Sequence, residues 1–404
     1  VAALSMNRYL DHIAYFACLL MIPAVLYAKA LITICYAIIA LVAIAKAVIY
    51  REYPDWRAPQ HWFILIFLLP IFSDIGAGPL GWSDQLMLKL PFILLPLSYV
   101  ALRQISHQQR IGYQAWITIV FGIAIVTYAT LVLRYPEQMD ALIAVGKAIP
   151  TPTEHVKYSM FNAYGAIAGI TLLRYHRGQL ARAIQYLVGV CTVILIIGMH
   201  LLAVRTGLLI LYSSILYLGI YEIIRYRRYR MGIAILSTLV LGLFIGYQNS
   251  KTLQTKVGYM LHDWQMYRSG TGQAYSDSER IYSLQMGVEL WQEAPITGVG
   301  IGQLHERSQS YYAAHGRGDY YNVPHSQWLY ILSGAGIIGF ILFLAGYFGP
   351  LIYGRSDVFL QLLYLNFTLS FFVENSLERS MSIAFFLVIA MVVMGGRFSD
   401  EPAG

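Results

Sequence analysis

The sequence predicts an all-α polytopic membrane protein of about twelve transmembrane helices with one large external loop. Three observations carry that fold class. The chain is 58% hydrophobic and 12% charged, with a mean hydropathy of +0.57, whereas soluble domains are about a quarter charged. Apolar runs near the 17–25 residues that cross a hydrocarbon core recur along its length. Arginine clusters fall in alternate loops between those runs.

The apolar runs lie near 11–28, 30–49, 61–76, 86–102, 112–133, 156–173, 181–201, 206–224, 231–248, 325–348, 357–374 and 380–396. Lys29 alone splits the first two and the third is short, so counts of eleven or thirteen stay open. The chain begins at Val1. Its first apolar run lacks a small-residue cleavage pattern and is read as a retained span. Proline within spans, at Pro23, Pro70, Pro91 and Pro96, is tolerated where neighbouring helices satisfy the freed backbone.

With a cytoplasmic N-terminus, the inner loops hold Arg51 and Arg57, then Arg103 and Arg110, then Arg174, Arg177 and Arg182, then the run Arg225 to Arg230. That is the positive-inside pattern. The formal charge of +7 therefore reads as orientation and attraction to anionic membrane lipids, not as a nucleic-acid surface. Cys18, Cys35 and Cys191 all fall inside spans, so no disulfide framework is expected.

A single domain over 1–404 is expected, with the polar stretch 249–324 as its large external loop. A smaller external loop runs from about Arg134 to Lys157. In the large loop, Ser276 and Glu279 fit a capping box. Ile281, Leu284, Val288 and Trp291 follow at helical spacing, which predicts an amphipathic helix over about 278–292 lying on the membrane surface. Pro295 ends it, and Gly298 to Gly302 reads as a flexible turn.

Three residues stand out for chemistry. Arg205 opens the eighth span and Arg280 lies in the first turn of the loop helix. Taken singly, each reads as a snorkelling or exposed charge. Together they offer guanidinium forks that suit phosphate oxygens. His325 follows Pro324 at the start of the tenth span, on what reads as a rigid element. Histidine's near-neutral pKa suits a general base for a sugar hydroxyl. His262, His305 and His315 share the loop without such a position. The loop tyrosines read first as an interfacial belt and second as sugar-stacking groups.

The spans read as poor in buried charge, and the outer acidic residues, among them Asp74, Glu374 and Glu378, read as scattered. No metal-ligand cluster, D-x-D pair or phosphate loop is present; Gly298–Gly302 lacks a surrounding strand–helix unit. A reaction without metal or cofactor is expected.

Ser278-Glu279-Arg280, Ala294 to Gly300, Pro324-His325-Ser326-Gln327 and Gly334 to Gly339 form a series that resembles the O-antigen ligase family, within the superfamily of O-antigen ligases, polymerases and O-linking oligosaccharyltransferases. Ser326 stands where the family usually has Asn after the histidine. Arg205-Thr206 resembles the family's span-start arginine and Arg280 its loop-helix arginine. The resemblance implies a GT-C-like, metal-independent, inverting glycosyltransferase of the bacterial inner membrane with a periplasmic site. Its donor would be an undecaprenyl-pyrophosphate-linked glycan bound by Arg205 and Arg280. Its acceptor would be a sugar hydroxyl of lipid A–core, deprotonated by His325. Polymerase and O-linking protein glycosyltransferase are the near rivals. A lipid-linked glycan flippase is the rival from another class, disfavoured because carriers place charges and broken helices at mid-membrane.

Overall fold

The computed structural model describes residues 2–74, 82–144, 150–202, 204–249, 251–268, 276–317, 322–354 and 357–395. In chain order the helices are α1 Ala2–Tyr27, α2 Lys29–Tyr50, α3 Ile64–Ser73, α4 Trp82–Lys89, α5 Pro91–Leu97 and α6 His107–Arg134. Then come α7 Pro136–Ala144, α8 His155–Tyr175, α9 Arg182–Leu202, α10 Arg205–Tyr226, α11 Tyr229–Asn249 and α12 Lys251–Arg268. The last five are α13 Ser276–Glu293, α14 Leu304–Ala314, α15 Gln327–Gly354, α16 Val358–Ser370 and α17 Ser380–Met394. No strand forms among the described residues.

Eight helical stretches among them are long and apolar enough to cross a membrane. The predicted third, eleventh and twelfth runs form shorter apolar helices, Pro59–Ser73, Val358–Ser370 and Ser380–Met394. The sixth is α8, whose Lys157, Ser159 and Asn162 dilute its hydropathy. Among the described residues each predicted run overlaps helix. The stretch from about Arg134 to Lys157, read as a small external loop, contains α7, which the sequence reading did not expect.

Contacts cluster in two compact units, 1–110 with 280–404 and 111–279. The unit 111–279 packs through small residues. A Cβ on Gly169 would sit 2.0 Å from Thr192 Oγ1, and one on Gly122 would sit 2.8 Å from Cys191 Cβ. Close backbone approach at glycine is how apolar helices associate where water supplies no driving force. Gln114 donates to Thr171 Oγ1 at 2.6 Å, and the fully buried Glu222 accepts from Arg174 at 2.9 Å and Tyr175 at 3.0 Å.

The other unit, 1–110 with 280–404, holds an aromatic cluster. Trp328 meets Phe371 edge-on at 5.2 Å, and Tyr347 stacks on Phe386 at 5.4 Å. Buried Lys46 pairs with Asp11, and buried Lys89 with Glu378. With Glu222, these pairs correct the expectation of spans poor in buried charge. The partners come from different helices, so a window along the sequence cannot show the pairing.

Helix α15 is not the rigid span expected. Gly336 interrupts it at φ 62°, ψ −166°. The turn after α13 fills the break. Val299 and Gly300 donate to the carbonyls of Ser333 and Gly334, both at 2.9 Å. Ile337 and Ile338 donate to those of Pro295 and Ile296 at 2.9 and 3.2 Å. Four backbone groups freed by the break are thus satisfied, as non-helical backbone surrounded by apolar protein requires. The turn is pinned from behind as well. Ser73 Oγ accepts from Ile301 N–H at 3.2 Å, and both Asp74 oxygens accept from Gly302 N–H at 3.1 Å. Gly298, at φ +76°, leaves no room for a Cβ, which would lie 2.3 Å from the Gly334 carbonyl carbon. The segment read as a flexible turn is a clamped one.

Candidate functional site

Helix α13 spans the expected stretch, but its buried face differs. Ser283, Met286, Gly287 and Leu290 are buried, while Ile281, Leu284, Val288 and Trp291 are half-exposed. Gly287 lies against Pro324 and Leu329. Small residues admit the approach to α15, so apolar periodicity alone picked the neighbouring face. Of the expected capping box, the Ser276 side chain lies outside the described residues.

That packing brings two of the three candidate residues together. The fully buried Ser283 hydroxyl donates to the Arg280 carbonyl at 2.7 Å and accepts from the His325 backbone N–H at 3.2 Å. A single hydroxyl therefore joins the backbones that carry Arg280 and His325. The Arg280 guanidinium faces Glu374 at 3.9 Å, with 28% and 12% of the two side chains exposed. His325 is half-buried and stands two residues ahead of α15, held by Pro324 on one side and Gln327 on the other.

The segment between α16 and α17 is the part that sequence reasoning missed. Gln327 N–H donates to the Phe371 and Glu374 carbonyls at 2.9 and 3.2 Å, and Ser326 Oγ to the Phe371 carbonyl at 2.9 Å. Glu374 and Glu378, read as scattered, are the partners of Arg280 and Lys89. Asp74, also read as scattered, holds the turn in the α15 break. The missed signal is Gln327, an amide buried next to an aromatic run, which requires polar partners.

Arg205 belongs to the other unit and is described by itself. It is exposed as the first residue of α10, after Val204 in extended backbone. Unpaired N–H groups at a helix start favour anions, and a guanidinium there adds to that preference. His262 and His305 are exposed, and His315 stacks on Tyr311 with ring centroids 4.2 Å apart. Burial, then the hydrogen bond to Glu289, pushes the Tyr311 phenol up to about 12. Arg317 lies 3.5 Å over the Tyr282 ring, a cation–π contact. Among the described residues no group of three or more His, Cys, Asp or Glu side chains could hold a metal.

The described residues are all helix and loop, and the eight apolar stretches among them indicate a multi-pass membrane protein. A family model described as O-antigen ligase matches residues 190–344, and that match supports membership of the O-antigen ligase superfamily. It runs from α9 into α15 and includes Arg205, Arg280 and His325. No curated protein matches the chain significantly.

Proposed function

We propose that this protein transfers glycan from undecaprenyl pyrophosphate to a sugar hydroxyl of lipid A–core at the periplasmic face of the inner membrane. It would do so as one GT-C-like domain over 1–404 with about twelve spans, inverting and without metal. The observation that carries the reading is the family match over the region where Ser283 joins Arg280 to His325.

In the proposed reaction the His325 imidazole takes the acceptor hydroxyl's proton. The acceptor oxygen forms a bond to the anomeric carbon as the bond from that carbon to the pyrophosphate oxygen breaks. The pyrophosphate departs with the electron pair, and Arg280 stabilises the charge it gains. Arg205 has the same role on the strength of its place in the sequence.

Proteoliposomes offered lipid-linked glycan with lipid A–core and a second lipid-linked glycan as competing acceptors test this reading. Product on lipid A–core supports a ligase; a lengthened lipid-linked chain makes the protein a polymerase. The broken α15 and the buried charge pairs are features that carriers also use, so they favour a second reading as a flippase. Movement of lipid-linked glycan across the bilayer with no covalent product would establish it.

A further inference from the structure

Behind His325 lies a buried polar cluster that the proposed reaction does not use. Lys89, 1% exposed, donates to Glu378 Oε1 at 2.5 Å and to the Leu377 carbonyl at 2.6 Å. Gln327, fully buried, donates from Nε2 to the same Oε1 at 2.9 Å and accepts from Leu377 N–H at 2.8 Å. The buried Tyr330 phenol lies beside the same carboxylate. Helix α4, the start of α15 and the segment before α17 thus converge on one ion pair.

Such a pair is a poor way to gain stability, because desolvation offsets the attraction between the charges. Apolar residues of similar volume would hold the helices together as well or better. What the pair adds is direction, since each bond fixes one atom against another. The fixed atoms are close to the reacting groups. His325 lies two residues before Gln327. Glu374, which faces Arg280, lies four residues before Glu378.

We propose that Lys89 and Glu378 are positioning residues for the transfer reaction. Through Gln327 and the 371–378 segment they set His325 and the Arg280–Glu374 pair in register, without touching either substrate. The inference rests on the transferase reading above.

The test uses full-length protein in proteoliposomes with lipid-linked donor and its acceptor. Lys89→Met and Glu378→Met each strand a buried group and should lower the melting temperature. The double variant K89M/E378M should recover much of it, because no charge is left unpaired, although Gln327 Nε2 and the Leu377 carbonyl lose these partners. Its kcat should stay down by on the order of 10²-fold, the effect of roughly an ångström of misplacement, with KM for donor unchanged. A double variant with wild-type kcat overturns the proposal, because the pair would then serve structure alone. If the double variant does not insert, Gln327→Met, which cuts the link from the carboxylate to α15 and leaves the ion pair intact, replaces it. Lowered kcat at constant KM supports the proposal, and wild-type kcat overturns it. A wild-type protein that transfers nothing overturns the transferase reading, and this inference with it. Transfer by the wild type matched by the double variant overturns only the inference.

Discussion

The two units hold their candidate residues by different means. In the unit 1–110 with 280–404, Arg280 and His325 are fixed by a chain of named polar contacts through Ser283, Glu374 and Gln327. In the unit 111–279, Arg205 sits exposed on a helix start, and α10 is steadied by packing, with Gly207 against Ser159 and Met199. A polar clamp fixes direction and is sensitive to single atoms. Close packing fixes distance and is sensitive to volume. Substitutions of the residues that support them should therefore disturb chemistry in the first unit and stability in the second.

The sharpest way to break that contrast is His325→Ala. Transfer should fall by about 10²–10⁴-fold, the usual worth of a general base, while insertion and donor binding persist. His262→Ala and His305→Ala, both exposed, should be far milder. An active His325→Ala variant with a wild-type pH profile removes histidine from the chemistry.

Arg280→Ala should lower kcat by roughly 10²–10³-fold, the loss seen when one transition-state donor is removed. Arg280→Lys should restore only part, since an ammonium cannot reproduce the fork. Arg205→Lys serves as the comparison in the other unit. Full activity from both lysine variants would mean that positive charge alone suffices.

Glycine substitutions sharpen the contrast on the stability side. Gly336→Ala places a Cβ 2.3 Å from the Ile296 carbonyl oxygen at φ +62°. That backbone conformation, open in practice to glycine, costs another residue about 1–3 kcal/mol, so the melting temperature should fall and transfer with it. Gly169→Ala overpacks the contact with Thr192, at about 1–3 kcal/mol. Transfer per folded molecule should stay at the wild-type level there. Equal losses per folded molecule at both glycines would erase the distinction between clamp and packing.

The smallest expected effect is that of chelation. Transfer by purified protein should survive EDTA, and loss restored by a divalent ion would refute a metal-free reaction.

Helices were legible in this sequence because an apolar run has a length, and length can be counted. The α13 stretch was legible from the helical spacing of its apolar residues, and Arg280 and His325 were picked out as candidates by their motif neighbours. The break in α15 was not, because Gly336 sits in a run otherwise apolar enough to read as one span. Nor were the pairings of Lys89 with Glu378 and Arg280 with Glu374, which join residues far apart in the chain. The α13 face misled because Ser283 and Gly287 contact α15 by being small, and periodicity scores only the apolar.

Chain order gives the break in α15 a consequence for biogenesis. The residues that fill it, Pro295 to Gly300, and those that pin the filler, Ser73 and Asp74, are all synthesised before Gly336. When α15 emerges, the partners for its open carbonyls and N–H groups already exist. Reversing that order would send a helix with four unmet backbone groups into lipid, at several kcal/mol for each. A circular permutant that makes α15 before the α13 turn should therefore insert poorly, although every residue and every final contact is the same.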